Sequence, residues 1–156
     1  MKKNPSTTTS GHLLTRTCRT LPAVAMAVLI AGCGSMGTGM GPSGQVSLSG
    51  ANEVPAIVTT ATGSGMIRVA SDHTVSGSIS TTGIDGKAAH IHMAQKGSNG
   101  PVVLPLTKVA DGSWIVPEGA KLSDAQYASY IAGDMYVNVH SAANPAGEIR
   151  GQLRPN

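Results

Sequence analysis

From Gln45 onward, apolar and polar residues alternate in short runs separated by turn-forming residues, which is the pattern of strands that bury one face. The runs at 45–49, 65–70, 75–81, 88–93, 102–106, 113–116, 135–141 and 148–153 are predicted strands. Turn chemistry lies between them at Ser71-Asp72-His73, Asp85-Gly86, Gly97-Ser98-Asn99-Gly100, Asp111-Gly112 and Asn144-Pro145. One stretch departs from this pattern. Ser123 is suited to cap a short helix near 123–132, Asp124 complements its positive end, and Leu122, Tyr127, Tyr130 and Ile131 supply apolar anchors before Gly133 ends it. The expectation is an all-β domain, an antiparallel sandwich or open barrel with one short helix.

Upstream the pattern is different. Lys2, Lys3, Arg16 and Arg19 precede an apolar run from Leu21 to Ala31, shorter than the roughly 20 residues a membrane-spanning helix needs. Residues 1–32 therefore read as a signal peptide. Its end, Ile30-Ala31-Gly32-Cys33, has the form of a lipobox, in which the Cys33 thiol takes up the lipid and becomes the first residue of the mature chain. Residues 33–44 then comprise the lipidated cysteine and a glycine-rich tether with a random-coil reach of roughly 20 Å. Gly39, Gly41 and Gly44 match a dinucleotide fingerprint in form only, because no strand precedes them and no helix follows. The domain proper is 45–156.

Processing changes the charge. The sequence pI of about 9.1 describes the precursor. Removing residues 1–32 leaves 124 residues carrying seven Lys and Arg against eight acids, a net charge of −1. Nucleic-acid binding, which needs a clustered cationic footprint, is not supported. Cys18 leaves with the signal, so the mature chain has no internal disulfide. Phe is absent and Trp114 is the sole tryptophan, which leaves aliphatic residues to build one core.

The candidate chemistry is histidine. His90 and His92 are two residues apart on one predicted strand and share a face, while His140 lies on another with Tyr136 and Asn138 on its side. If the two strands are neighbours, three imidazoles converge on a polar face that also carries Glu148, a set suited to copper or zinc with an open position for water or Glu148. The alternative is a cross-strand polar network, with the imidazoles bonded to Asn138, Glu148 or backbone groups. By the same parity Met93 and Met135 face the core, and His73 sits in a solvated turn. Met36 and Met40 lie in the tether. Trp114, Tyr127 and Tyr130 are packing residues. Gly-x-Ser-x-Gly, Walker and His-Glu-x-x-His motifs are absent, and the acids are dispersed, so an enzyme is not expected.

These segments also carry a resemblance. Leu48-Ser49-Gly50-Ala51-Asn52-Glu53-Val54-Pro55, Ala89-His90-Ile91-His92, Asn99-Gly100-Pro101-Val102-Val103, Leu122-Ser123-Asp124, Tyr136-Val137-Asn138-Val139-His140 and Asn144-Pro145-Ala146-Gly147-Glu148-Ile149-Arg150-Gly151-Gln152 follow in order. Together they resemble the CHRD domain, first named from chordin, from about Gln45 to Leu153. The resemblance implies a fold of immunoglobulin-like or superoxide-dismutase-like type and, for bacterial members, a secreted or envelope protein. His-x-His followed by a later His is similar to the copper-binding part of copper-zinc superoxide dismutases. No bridging histidine, zinc loop or cysteine pair accompanies it, so the similarity implies copper affinity without dismutase activity.

The expectation is an envelope lipoprotein, anchored to the membrane through Cys33 and binding copper, with zinc second, through His90, His92 and His140. Gly34 in place of Asp after the cysteine fits the outer membrane of a Gram-negative cell. The competing expectation, drawn from chordin's role as an extracellular antagonist, is a module that binds an envelope protein partner, or a structural one, without metal or catalysis.

Overall fold

The computed structural model describes residues 44–155. The expected signal peptide, Cys33, Met36, Met40 and the tether up to residue 43 lie outside the described residues. Nine strands form one sheet: β1 (Gln45–Ser49), β2 (Thr62–Val69), β3 (Val75–Thr82), β4 (Gly86–Met93), β5 (Val102–Pro105), β6 (Thr107–Ala110), β7 (Ser113–Ile115), β8 (Met135–Ser141) and β9 (Ile149–Gln152). Their order is β5-β4-β8-β9-β1-β2-β3-β7-β6, and every pairing is antiparallel.

The two end strands of that order, β5 and β6, are consecutive in the chain with only Leu106 between them. Leu106 N donates to Ala89 O, so the strand leaves β4 at this residue and continues onto β7. The sheet is thereby curled into a nearly closed barrel, with its two edges joined covalently and largely withdrawn from open pairing.

Alternation in the sequence determines which face turns inward. Val46 and Leu48 of β1, Ile67 and Val69 of β2, Ile91 of β4, Val137 and Val139 of β8 and Ile149 of β9 are all buried in one aliphatic core with Trp114. Met135 is buried and Met93 packs against the same cluster, as parity predicts. Strand β8 is covered on both sides: every residue from Met135 to Ser141 except His140 is buried, the polar Asn138 included.

Helix α1 (Asp124–Ile131) starts at a capping box, in which Ser123 Oγ accepts from Gln126 N at 3.3 Å and Gln126 Oε1 accepts from Ser123 N at 2.8 Å. Beyond it Gly133 adopts φ 80°, which terminates the helix at little steric cost. Leu122 and Tyr130 anchor the helix, but Ile131 is turned outward, 52% exposed, because one further residue rotates it about 100° past Tyr130. The sequence reading did not anticipate β6 or the start of β2. All four residues of β6 are exposed, and Thr62-Gly63-Ser64 offers no apolar alternation to read.

Candidate metal centre

Strands β4 and β8 are hydrogen-bonded neighbours, with His90 opposite Asn138, His92 opposite Tyr136 and Ala88 opposite His140. His140 is therefore one step diagonal from His90 on the same face, within reach of a long side chain. The ring centroids lie 4.9 Å apart for His90 and His140, 5.6 Å for His90 and His92, and 5.9 Å for His92 and His140. One nitrogen from each ring falls within 4.8 Å of the others. The sequence-predicted trio is thus brought together.

Backbone carbonyls orient two of the rings. His92 Nδ1 is 3.0 Å from Gly100 O, and His140 Nδ1 is 3.0 Å from Pro145 O. A carbonyl only accepts, so each ring carries its proton on Nδ1 and leaves a lone pair on Nε2. Anchoring of the far nitrogen by a carbonyl is how metal-ligating histidines are commonly held. His90 Nδ1 lies 3.0 Å from His140 Nε2 and donates to that lone pair when no ion is bound. His92 Nε2 is buried and has no hydrogen-bond partner among the described residues. An orphaned lone pair beside two further imidazoles fits a cation, which supplies what no protein donor does.

Ligand nitrogens at about 2.0–2.1 Å from one ion are separated by roughly 2.9–3.4 Å, depending on the angle between them. The His90–His140 spacing of 3.0 Å already lies in that range. Burial lowers the proton affinity of His90 and His92, and the neighbouring His140 lowers both further, although the bond to Gly100 O partly opposes this at His92. Both therefore favour the neutral, ligating form.

Beside the histidines lies a polar layer whose outward parity the sequence shows but whose burial and contacts it does not. The His92 ring stacks on Tyr136 at 4.8 Å and 8°, and the Arg150 guanidinium sits 3.4 Å from the centre of the Tyr136 ring. Arg150 is buried and donates to Asn99 Oδ1 at 3.2 Å and to Gln95 O at 3.4 Å, while Asn99 Nδ2 donates to Val54 O at 2.7 Å. Asn99 thus joins two loops across the sheet face. Gly100 passes so close to β4 that a Cβ there would lie 1.9 Å from Met93 O, which leaves glycine as the residue able to place the carbonyl under His92.

Three expectations are corrected. Glu148 precedes β9 and turns away from the histidines: Ser141 Oγ, on the face opposite His140, donates to its Oε2, and Thr59 Oγ1 donates to its Oε1 at 2.8 Å. Those bonds, Ser141's first, hold Glu148 below the usual carboxylate range. Asn138 does not bond a histidine but donates through Nδ2 to both carboxyl oxygens of Glu53, at 2.9 and 3.1 Å. The polar-network alternative is therefore realised in part: the imidazoles bond backbone carbonyls and one another, but Asn138 is engaged with Glu53 and Glu148 with Ser141 and Thr59. His73 is not simply solvated. At φ 68° it stacks on Tyr127 with centroids 4.2 Å apart, and its Nδ1 lies 3.4 Å from Asp124 Oδ1.

The family model described as CHRD domain matches residues 44–153. The chain belongs to the CHRD domain family. The match covers all nine strands, both loops over the polar face and all three histidines, so the site is part of the CHRD domain itself and not of an appended segment. No curated protein and no solved structure matches the chain.

Proposed function

We propose that this CHRD-domain protein is an envelope lipoprotein, held to the membrane through Cys33, that binds a transition metal with His90, His92 and His140 and carries out no catalysis. The observation that supports the metal reading best is the buried Nε2 of His92, without a hydrogen-bond partner among the described residues and beside two imidazoles of the same sheet face. Copper is the favoured ion and zinc the second. For a given set of nitrogen ligands Cu(II) binds more tightly than Zn(II), and imidazole suits both. When bound, the ion would supply a site with three histidine ligands and room for a further one; the protein's part is to fix the tautomers through the Gly100 and Pro145 carbonyls.

Support for the anchor comes from the order of basic residues, apolar run and Ile30-Ala31-Gly32-Cys33. Acyl chains contribute about 0.8 kcal/mol per buried methylene, so several chains on one cysteine form a durable attachment. The expected location is the outer membrane.

Titration of the metal-free protein with Cu(II), Cu(I) and Zn(II) tests the metal reading. His92→Ala and His140→Ala should each weaken binding strongly, and His73→Ala should not. Equal affinity in all four proteins, or no saturable binding, would leave the partner-binding or structural role of a CHRD module in its place. For the anchor, mass spectrometry should find Cys33 acylated at the N-terminus, and Cys33→Ala should release the protein from membranes; an unmodified chain starting elsewhere removes that part of the reading.

A further inference from the structure

On the polar face, beyond Tyr136 and Asn138 from the histidines, lies a cleft of about 730 Å³ between β1, β9 and the loops that cover them. Its walls include Lys96, Arg150 and Arg154, the side-chain amides of Gln45 and Asn52, and a single acid, Glu53.

The distribution of charge around the domain makes this cleft unusual. Residues 44–155 hold seven Lys and Arg and eight acids. Lys87, Lys108 and Lys121 are each paired with an aspartate, at 2.6, 2.9 and 3.5 Å respectively. Among the described residues the other four cations have no acid within 4.0 Å, and three of those four line this one cleft. The fourth, Arg68, donates to Met66 Sδ.

Arg150 is the fixed element. Its guanidinium is buried, held flat against Tyr136, and committed through Nη1 and Nη2 to Asn99, Gln95 and Gln152, while Nε makes no hydrogen bond within the described residues. A cation immobilised in this way keeps its charge on the cleft without paying further conformational entropy when a ligand arrives. Glu53 offers little opposition, because burial raises its carboxyl to about 7 and part of it is neutral near physiological pH.

We propose that this cleft is a binding site for a small polar oxyanion, a molecule that presents a carboxylate or phosphate to Arg150, Lys96 and Arg154 and its polar body to the amides of Gln45 and Asn52. The volume lies within the range of small-molecule sites, and the lining recognises charge and hydrogen bonding more than apolar surface.

The test is calorimetric titration of the metal-free, full-length protein with inorganic phosphate and, separately, with citrate, at ionic strength matched with sodium chloride. Saturable binding of either anion is expected, and the tighter of the two identifies a phosphoryl or a carboxylate ligand. The exposed cations carry the test, since Arg150 also holds the loops together: Lys96→Ala with Arg154→Ala should weaken binding at least tenfold without shifting the melting temperature. Lys87→Ala should leave the affinity unchanged. Absence of saturable binding for both anions, or equal affinity in the double variant, overturns the proposal.

Discussion

The carboxyl group of Glu53 faces the side-chain amide of Asn138, with Nδ2 2.9 and 3.1 Å from its two oxygens. Both residues are buried, and desolvation raises Glu53 from its ordinary 4.5 to about 7 against the opposing pull of Arg150. Between those values the folded protein holds a proton that the unfolded chain has released. Glu53's contribution to stability is thus fully present below pH 4.5 and is lost as pH rises through about 7. Glu53→Gln retains an amide oxygen for Asn138 without the charge, and should raise the melting temperature more at pH 8 than at pH 5. An equal change at both pH values would show that ionisation of Glu53 is not the cause.

Gly147 closes over the same pair. Its φ is 136°, and a Cβ at this position would lie 2.2 Å from Asn138 Nδ2 and 2.9 Å from Glu53 Oε1. Gly147→Ala therefore combines an unfavourable backbone conformation with displacement of a buried hydrogen bond, an expected loss of roughly 2–4 kcal/mol in urea unfolding. A loss below about 0.5 kcal/mol would mean that the loop relaxes freely.

Trp114 is fully buried on the three-residue strand β7, and Gly86 packs so closely that its absent Cβ would stand 2.9 Å from Trp114 Cζ2. With no phenylalanine in the chain, Trp114 and Tyr130 are the large aromatic side chains of this otherwise aliphatic core. Trp114→Ala should cost about 3–5 kcal/mol, measured by urea unfolding followed by circular dichroism. A cost under 1 kcal/mol would place the barrel's stability elsewhere.

The parity of side chains along the strands was legible in the sequence. Val137 and Val139 alternate with Tyr136, Asn138 and His140, and that alternation placed the three histidines on one face before any pairing was known. Adjacency was not encoded in the same way: β4 meets β8 across 41 intervening residues, through tertiary pairing that local pattern does not report. The missed parts share a cause. Glu53 and Arg150 lie in the motifs used for recognition, but their burial depends on loops folding over the outer face, and parity alone does not show that Asn138 bonds Glu53 instead of an imidazole. Glu148 was misplaced because one residue at the edge of β9 decides whether its side chain follows the strand's alternation or turns to Ser141.

Arg150 couples the two loops to the histidine face through geometry that only a planar guanidinium supplies. It lies 3.4 Å from the Tyr136 ring centre while donating to Asn99 Oδ1 and Gln95 O, and the opposing partner of that ring is His92. Lysine retains the charge but has neither the flat surface nor the fork of donors, so Arg150→Lys is not conservative here. The expected consequence is local: the loop around Gln95 to Gly100 loses two anchors, Gly100 O becomes a less constant acceptor for His92 Nδ1, and the ring gains freedom. Hydrogen exchange of backbone amides at 95–100 should then accelerate at least tenfold in Arg150→Lys, while the paired amides of β2 and β3 keep their protection. Faster exchange in both regions would instead mean that Arg150 supports the barrel as a whole, and unchanged exchange in both would deny it a role in holding the loop.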